Sequence, residues 1–574
     1  MKYLFFAVAG WILCQFFLSA PIKEGATRLQ SVEQKKRTAA SCSPLKDKKF
    51  SPSDIPLLPG TGSHQWKIST KVDSAQVYFN QGMNLYYSFH IIEALGSFLK
   101  AQQFDPENGM LFWAEALSYG PNINDMGYAA SQGVFPAMGK ANKFHNGLTP
   151  MEIDLIAALG YRYSSDSSAK QDQLNINYRD AMAVLYNKYP NQQEVTALYA
   201  DALMLIHPWD LYEHDQRPKP WTGELIAVLE KGLKHAPDHP GINHYYIHAV
   251  EASATPARAM NSAKKLGSIA PSVSHMVHMP SHIYIRTGNY DEGIKVNEVS
   301  LNGYVKYLEL YPSVVSNEWL YQFHNIHLLA VCAMMNGRQL KSSSNADELK
   351  KAITQDYYSS APPFRDYIYY MASTPVFSDI RFGKWDRLMS MPEIQDSAAY
   401  LKILSEFGRG IALARTKKFE AAEKSLNKMA KLMKTDKDLG LALGAFNSAL
   451  AGAEVAFAML SGIIEEEKGN YSRSIEYLKK AVSLEENMIY NEPKDWLLPP
   501  LPYLGQVLLK NRNFAEAEQA FQKDLSFNPN NIWSLKGLEL TSLAKGNTSA
   551  AAKARKELDK VLKGSDLTLK TPVF

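Results

Sequence analysis

The stretch Ser274–Arg286, SHMVHMPSHIYIR, puts His275, His278 and His282 within eight residues. Two related groups flank it, His244, His248 and Glu251 upstream and His324 and His327 downstream. Imidazoles and carboxylates coordinate transition metals, move protons near neutral pH, and hydrogen-bond polar ligands. At about 100° per helical residue, His244, His248 and Glu251 fall within an arc of roughly 60°. His275, His278 and His282 share a similar arc, as do His324 and His327. Seven of the chain's 14 histidines lie between positions 244 and 327. A single histidine pair at i, i+4 is usually structural, satisfied by a carbonyl or a tyrosine hydroxyl. Three such stripes in succession are harder to explain that way.

The pattern therefore predicts a metal centre with His244, His248, His275, His278, His282, His324 and His327 as ligands. His244, His248, His278 and His282 form its core. Glu251, one turn beyond His248, is placed to ligate or to accept a proton as a general base. Tyr245, Tyr284, Arg286 and Tyr321 are the candidate ligand-binding side chains around it. The alternatives are a metal-free polar groove, for instance for an acidic peptide, and histidines that are purely structural. Cys14, Cys42 and Cys332 are too few and too scattered for a disulfide framework or a thiolate zinc site. Histidine-rich, thiolate-poor ligation suits zinc, copper or iron better than magnesium or calcium. So many ligands exceed the three or four of one catalytic ion, which leaves two metals, or one metal with supporting imidazoles. Because a metal needs neutral imidazole, affinity is expected to fall below about pH 6.5.

These stripes need helices to hold them in register. In residues 76–106, Tyr78, Gly82, Leu85, Ala94, Phe98, Ala101 and Pro106 fall at positions 4, 8, 11, 20, 24, 27 and 32 of a 34-residue unit. Gly505, Leu508, Ala517, Phe521 and Pro529 repeat positions 8, 11, 20, 24 and 32, and Gly462, Ser474, Leu478 and Ala481 repeat 8, 20, 24 and 27. The spacing resembles the tetratricopeptide repeat (TPR). That resemblance implies an all-α superhelix of paired helices, an α-solenoid, with the first helix of each pair lining a concave groove. On the same ruler, the seven histidines and Glu251 occupy positions 2, 5, 9 and 12, which the resemblance assigns to the groove. Pro280 interrupts the helix carrying three of the histidines. Either that helix kinks, or it starts near Pro280 and leaves only His282 in phase.

The motifs NHYYIHAVEAS, HMVHMPSHIYIRTGNY, FHNIHLLA, RFGKWD and YNEPKDWLLPP follow one another in that order. Together they resemble a large, poorly characterised family of bacterial and fungal tetratricopeptide proteins, over roughly residues 74–550. The resemblance implies the fold and a shared groove chemistry, and supplies no reaction. Other motifs read as structural. Glu492 and Asp495 are expected to cap helices at a repeat boundary. Arg381, Lys384, Trp385 and Asp386 read as a solvated corner or an inter-repeat brace. His207, Trp209 and Asp210 open an insertion that either packs as a loop or folds over the groove. His90 reads as structural.

The domain reading is 1–20 a signal peptide or membrane anchor, 21–73 a flexible linker, 74–440 repeats with the histidine-rich groove, and 441–574 C-terminal repeats. Leu4 to Ala20 is an apolar run broken by Gln15, which directs export to the periplasm or cell envelope, with membrane attachment an option. Net charge is +4 with no basic block, so no nucleic-acid partner is expected. No nucleophile elbow, phosphate loop or dinucleotide fingerprint occurs. The sequence supports two functions. One is a metal-dependent enzyme, oxidative or hydrolytic, acting on a small molecule. The other is a non-enzymatic scaffold whose groove binds a peptide or glycan.

Overall fold

A computed structural model describes residues 55–124, 131–311, 319–394 and 398–574. The apolar run at 4–20 lies outside the described residues. Among the described residues there is no strand, only an isolated bridge between Tyr212 and Pro218. None of their helices is long and apolar enough to cross a membrane. The fold is an all-α helical-repeat solenoid, in which consecutive helices pack as hairpins joined by short turns.

The repeat spacing works through close contact. A Cβ added to Gly82 would lie 2.3 Å from the Phe98 ring, and one on Gly505 would lie 2.6 Å from Phe521. One on Gly462 would lie 2.7 Å from Leu478. In each unit the missing side chain at position 8 makes room for the large one at position 24, so both helices close over one buried residue. The turns between paired helices need a left-handed residue. Gly288 (φ 71°) and Gly337 (φ 75°) supply it at the two positions that anchor the histidine register.

Residues 55–72 are not a free linker but an extended strap. Ile55, Leu58, Trp66 and Ile68 are buried, and Trp66 meets Phe79 and Trp113 edge-on. The strap's polar composition concealed these four anchors.

Two large hydrophobic cores form, one from residues 58–284 and one from 290–573, beside a small third cluster of Tyr304, Leu308 and Tyr321. The two large cores abut along three helices: Pro240–Glu251, the broken helix Ser274–His278 and Pro280–Arg286, and His324–Met335. The chain then returns over this junction. Arg286 donates to the Phe527 carbonyl, and the Trp533 indole donates to the Met334 carbonyl. The groove expected from the sequence is thereby roofed, and the stripes face a closed interior.

Candidate metal centre

Local structure sets each imidazole. Pro240 starts its helix at the first turn, with the His239 ring accepting from the Ile242 N–H as an N-cap. His244 and His248 then point inward one turn apart, and Glu251 lies in the last turn. At Pro280 the helix breaks in two, but Met279 keeps helical dihedrals (φ −49°, ψ −35°). The result is a kink, and His275, His278 and His282 all reach the same interior. A π-turn at Trp319–Phe323 leads into the helix that brings His324.

Six histidines and two glutamates form one continuous cluster, none more than 9% exposed. His244 Nε2 lies 3.1 Å from His275 Nε2, and one nitrogen each of His244, His248 and His275 lie within 4.8 Å of one another. His278 Nε2 lies 2.9 Å from His282 Nε2, which lies 3.3 Å from His324 Nε2. His248 Nδ1 and His282 Nδ1 each contact Glu251 at 2.8 Å, through different carboxylate oxygens. Glu492 also contacts His282 Nδ1.

The opposite face of each ring fixes its tautomer. His244 Nδ1 lies 2.7 Å from the Tyr87 carbonyl, an orphan acceptor at a helix end, and so donates. Asn297 gives its amide N–H to the Gly293 carbonyl, so its oxygen, 2.5 Å from His278 Nδ1, must accept. His248 and His282 donate from Nδ1 to Glu251. In His244, His248 and His278 the Nε2 lone pair is therefore turned inward, and His282 turns its Nε2 to the same centre. The Nε2 atoms of His278 and His282, 2.9 Å apart, need a proton or a metal between or beside them, and without metal the His282 N–H donates to His278. His248 Nε2 is buried with no hydrogen-bond partner. Donors pinned at Nδ1 with Nε2 facing a common centre are how ligating histidines are held.

Charge follows geometry. Burial, reinforced by neighbouring imidazoles, pushes His244, His275, His278 and His324 well below the usual histidine range. Burial lowers His248 too, against the pull of Glu251. His282 goes the other way: burial is outweighed by Glu492 and Glu251, which raise it to about 10. The carboxylates split. Burial and Glu251 push Glu492 up to about 8, whereas His282 and His248 hold Glu251 below its ordinary value despite burial. Such a split pair can supply one acid and one base.

The remaining expected residues are placed as follows. His327 is buried with both nitrogens unpartnered, its ring 5.5 Å from Tyr370, and burial lowers it to about 3. It points one turn away from the two nitrogen triads. Tyr245 packs beside His244, and Arg286 donates to the carbonyls of Glu251 and Ser253. Tyr321 stacks on His90 at 3.9 Å, outside the cluster. Tyr284 is buried and has no contact with the imidazoles among those described. Arg381 is a brace and not a solvated corner: it is buried, donates to the Leu497 carbonyl and lies over Trp533.

Glu492 and Phe89 at the site were not expected from the sequence, and Trp209 takes the second of its two readings, folding over the groove. Glu492 enters from the segment after Glu486, nowhere near the histidines in sequence. Phe89 (φ 57°) and Trp209 (φ 60°) hold left-handed backbone, unusual for bulky residues, and both rings pack on His248. A second cluster, His64, Glu194 and His239, resembles a ligand set but is structural. His239 Nδ1 accepts the cap bond, so its Nε2 carries the proton and faces Glu194 at 3.4 Å. His64 and the Tyr87 hydroxyl complete that carboxylate's partners.

Residues 458–488 match the family model of the tetratricopeptide repeat. That segment of the helical-repeat chain is a tetratricopeptide repeat. No curated protein sequence matches it significantly. Among solved structures it is similar to the human IFIT1 dimer with m7Gppp-AAAA, at 13% identity and TM-score 0.31, covering 96% of each chain. It is also similar to yeast Tom70, at 12% identity and TM-score 0.25, covering 86% of this chain and 91% of that one. At such values these likenesses carry no functional argument. The histidine cluster of this helical-repeat protein is thus read from its own geometry.

Proposed function

We propose that the buried cluster is a transition-metal centre and that this helical-repeat protein is a metal-dependent enzyme acting on a small molecule. The observation that carries the metal reading is the convergence of buried Nε2 atoms 2.9–3.3 Å apart, with the Nε2 of His248 buried and unpartnered beside them. Two nitrogens bound to one tetrahedral ion at 2.0–2.1 Å lie about 3.3 Å apart, close to the spacings here. A bound zinc would supply Lewis acidity, and copper or iron would supply electron transfer. The chain's own groups supply the rest. Glu251 and Glu492 offer a proton acceptor and donor, and Phe89 and Trp209 wall the site. Tyr490 lies 3.5 Å from Glu251 and also lines a cleft of about 260 Å³. It is the group between the cleft and the interior. The apolar run at 4–20 supports placing the repeats outside the cytoplasm.

Elemental analysis of the purified protein, repeated on His248→Ala and His278→Ala, tests this. The wild type should hold metal, both variants should lose most of it, and His90→Ala should lose none. A wild type empty after metal-supplemented expression sinks the reading. The same cleft, with Arg286, Lys494, Trp496 and Phe527 in its wall, favours a second reading: a scaffold that binds a peptide or glycan there without chemistry.

A further inference from the structure

We propose that the centre takes two copper ions in the cuprous state. One sits on His244, His248 and His275, the other on His278, His282 and His324. This rests on the metal reading above and adds the number of ions, their ligand sets and their identity.

The nitrogens divide into two triads that share no ring, each with its ligand atoms within 4.8 Å, and a third group joins His248 and His282 through Glu251 and Glu492. Nε2 separations inside the triads are 2.9–3.3 Å where they touch. The triads are neighbours: the His275 and His278 rings are 5.9 Å apart, and the His248 and His282 rings 5.6 Å. One ion takes about four such donors, so a single ion cannot serve six inward nitrogens. The Nε2 of His248, buried, unpartnered and turned into the first triad, gives this triad a nitrogen free to ligate.

Charge selects the ion. Each triad offers three imidazole nitrogens, with Glu251 and Glu492 as the anions nearest to them. Glu251 faces the Nδ1 side of His248 and His282, and Glu492 touches His282 Nδ1 and reaches within 4.0 Å of His324 Nε2, so both stand beside the triads to balance charge. Unbalanced charge in a site this buried is strongly unfavourable. Two monovalent ions that displace the protons of His282 and Glu492 face two ionised carboxylates, and the charges sum to zero. Two divalent ions would leave two positive charges needing further anions. Among the ions that imidazole favours, monovalent copper fits.

The test is an anaerobic titration of the full chain with Cu(I) against a colorimetric Cu(I) chelator, with metal counted per chain. The wild type should bind two ions, and His275→Gln and His324→Gln one each, with helical circular dichroism unchanged. Copper K-edge absorption of the wild type, which needs no variant, should show three nitrogen donors per ion. One ion per wild-type chain overturns the inference but leaves the metal reading standing. Two ions that neither variant loses, or displacement of copper by equimolar zinc, overturns it as well. No binding of copper, zinc or iron sinks the metal reading itself.

Discussion

The Nε2 atoms of His278 and His282 face each other at 2.9 Å, and the second nitrogen of each ring is committed to an acceptor, Asn297 for one and Glu251 for the other. Asn297 is therefore a positioning residue. Asn297→Leu removes the acceptor and frees His278 to carry its proton on Nε2. Metal affinity should fall about 10–100-fold, the usual effect of losing such a partner. Asn297→Asp, which keeps an acceptor, should stay close to wild type. Equilibrium dialysis compares them. Equal affinity in the leucine variant would mean the tautomer is not set there.

Metal binding should depend on pH over a higher range than free histidine suggests. His282 is raised to about 10 and Glu492 to about 8, so both hold protons at neutral pH without metal. An ion on His282 Nε2 must expel a proton. Affinity should therefore rise with pH, by about tenfold per unit for each proton released, up to pH 8 and beyond. The threshold of about 6.5 expected from an ordinary imidazole is too low. Dissociation constants at pH 6, 7 and 8 check this, and a flat series contradicts it.

The TPR pattern was legible because its evidence is local. Gly82 and Phe98, or Gly505 and Phe521, meet across a single helical hairpin. The histidine stripes were legible for the same reason, since i, i+4 spacing puts two rings on one face whatever the tertiary fold. Glu492 was not. It reaches His282 only because the chain after Glu486 folds back over the junction of the two cores. Phe89 and Trp209 depend on left-handed backbone that no spacing announces. His327 shares the stripe of His324, yet the roof over the groove places Tyr370 against it. Helical phase sets the direction in which a residue leaves its helix. The partner it meets is set by the packing above.

The structural cluster should govern acid stability. Burial would raise Glu194, but His239 and His64 outweigh it and bring it to about 2, from an ordinary 4.5. A carboxylate depressed by folding stabilises the native state above its unfolded value. That stability is lost as pH falls from about 4.5 to about 2, and amounts to a few kcal/mol. Glu194→Gln should lower the melting temperature at pH 7 and flatten the acid limb below pH 4.5. An unchanged acid limb in urea denaturation contradicts the assignment.

Gly241→Ala should strain both clusters at once. A Cβ there would lie 2.6 Å from the Tyr87 ring. Tyr87 holds His244 through its carbonyl and Glu194 through its hydroxyl. Overpacking of this kind costs about 1–3 kcal/mol, which thermal denaturation would register. Gly139→Ala, with nothing within 4 Å of its added Cβ, is the control.

The most direct measurement is an anomalous difference map from crystals of the metal-loaded protein, collected at the edge of the loaded metal. The account predicts a peak about 2.0–2.1 Å from the Nε2 atoms of His278 and His282, with their Nδ1 atoms still on Asn297 and Glu251. Finding no peak, with the two rings still in contact at 2.9 Å, would show that a proton occupies the place assigned to metal.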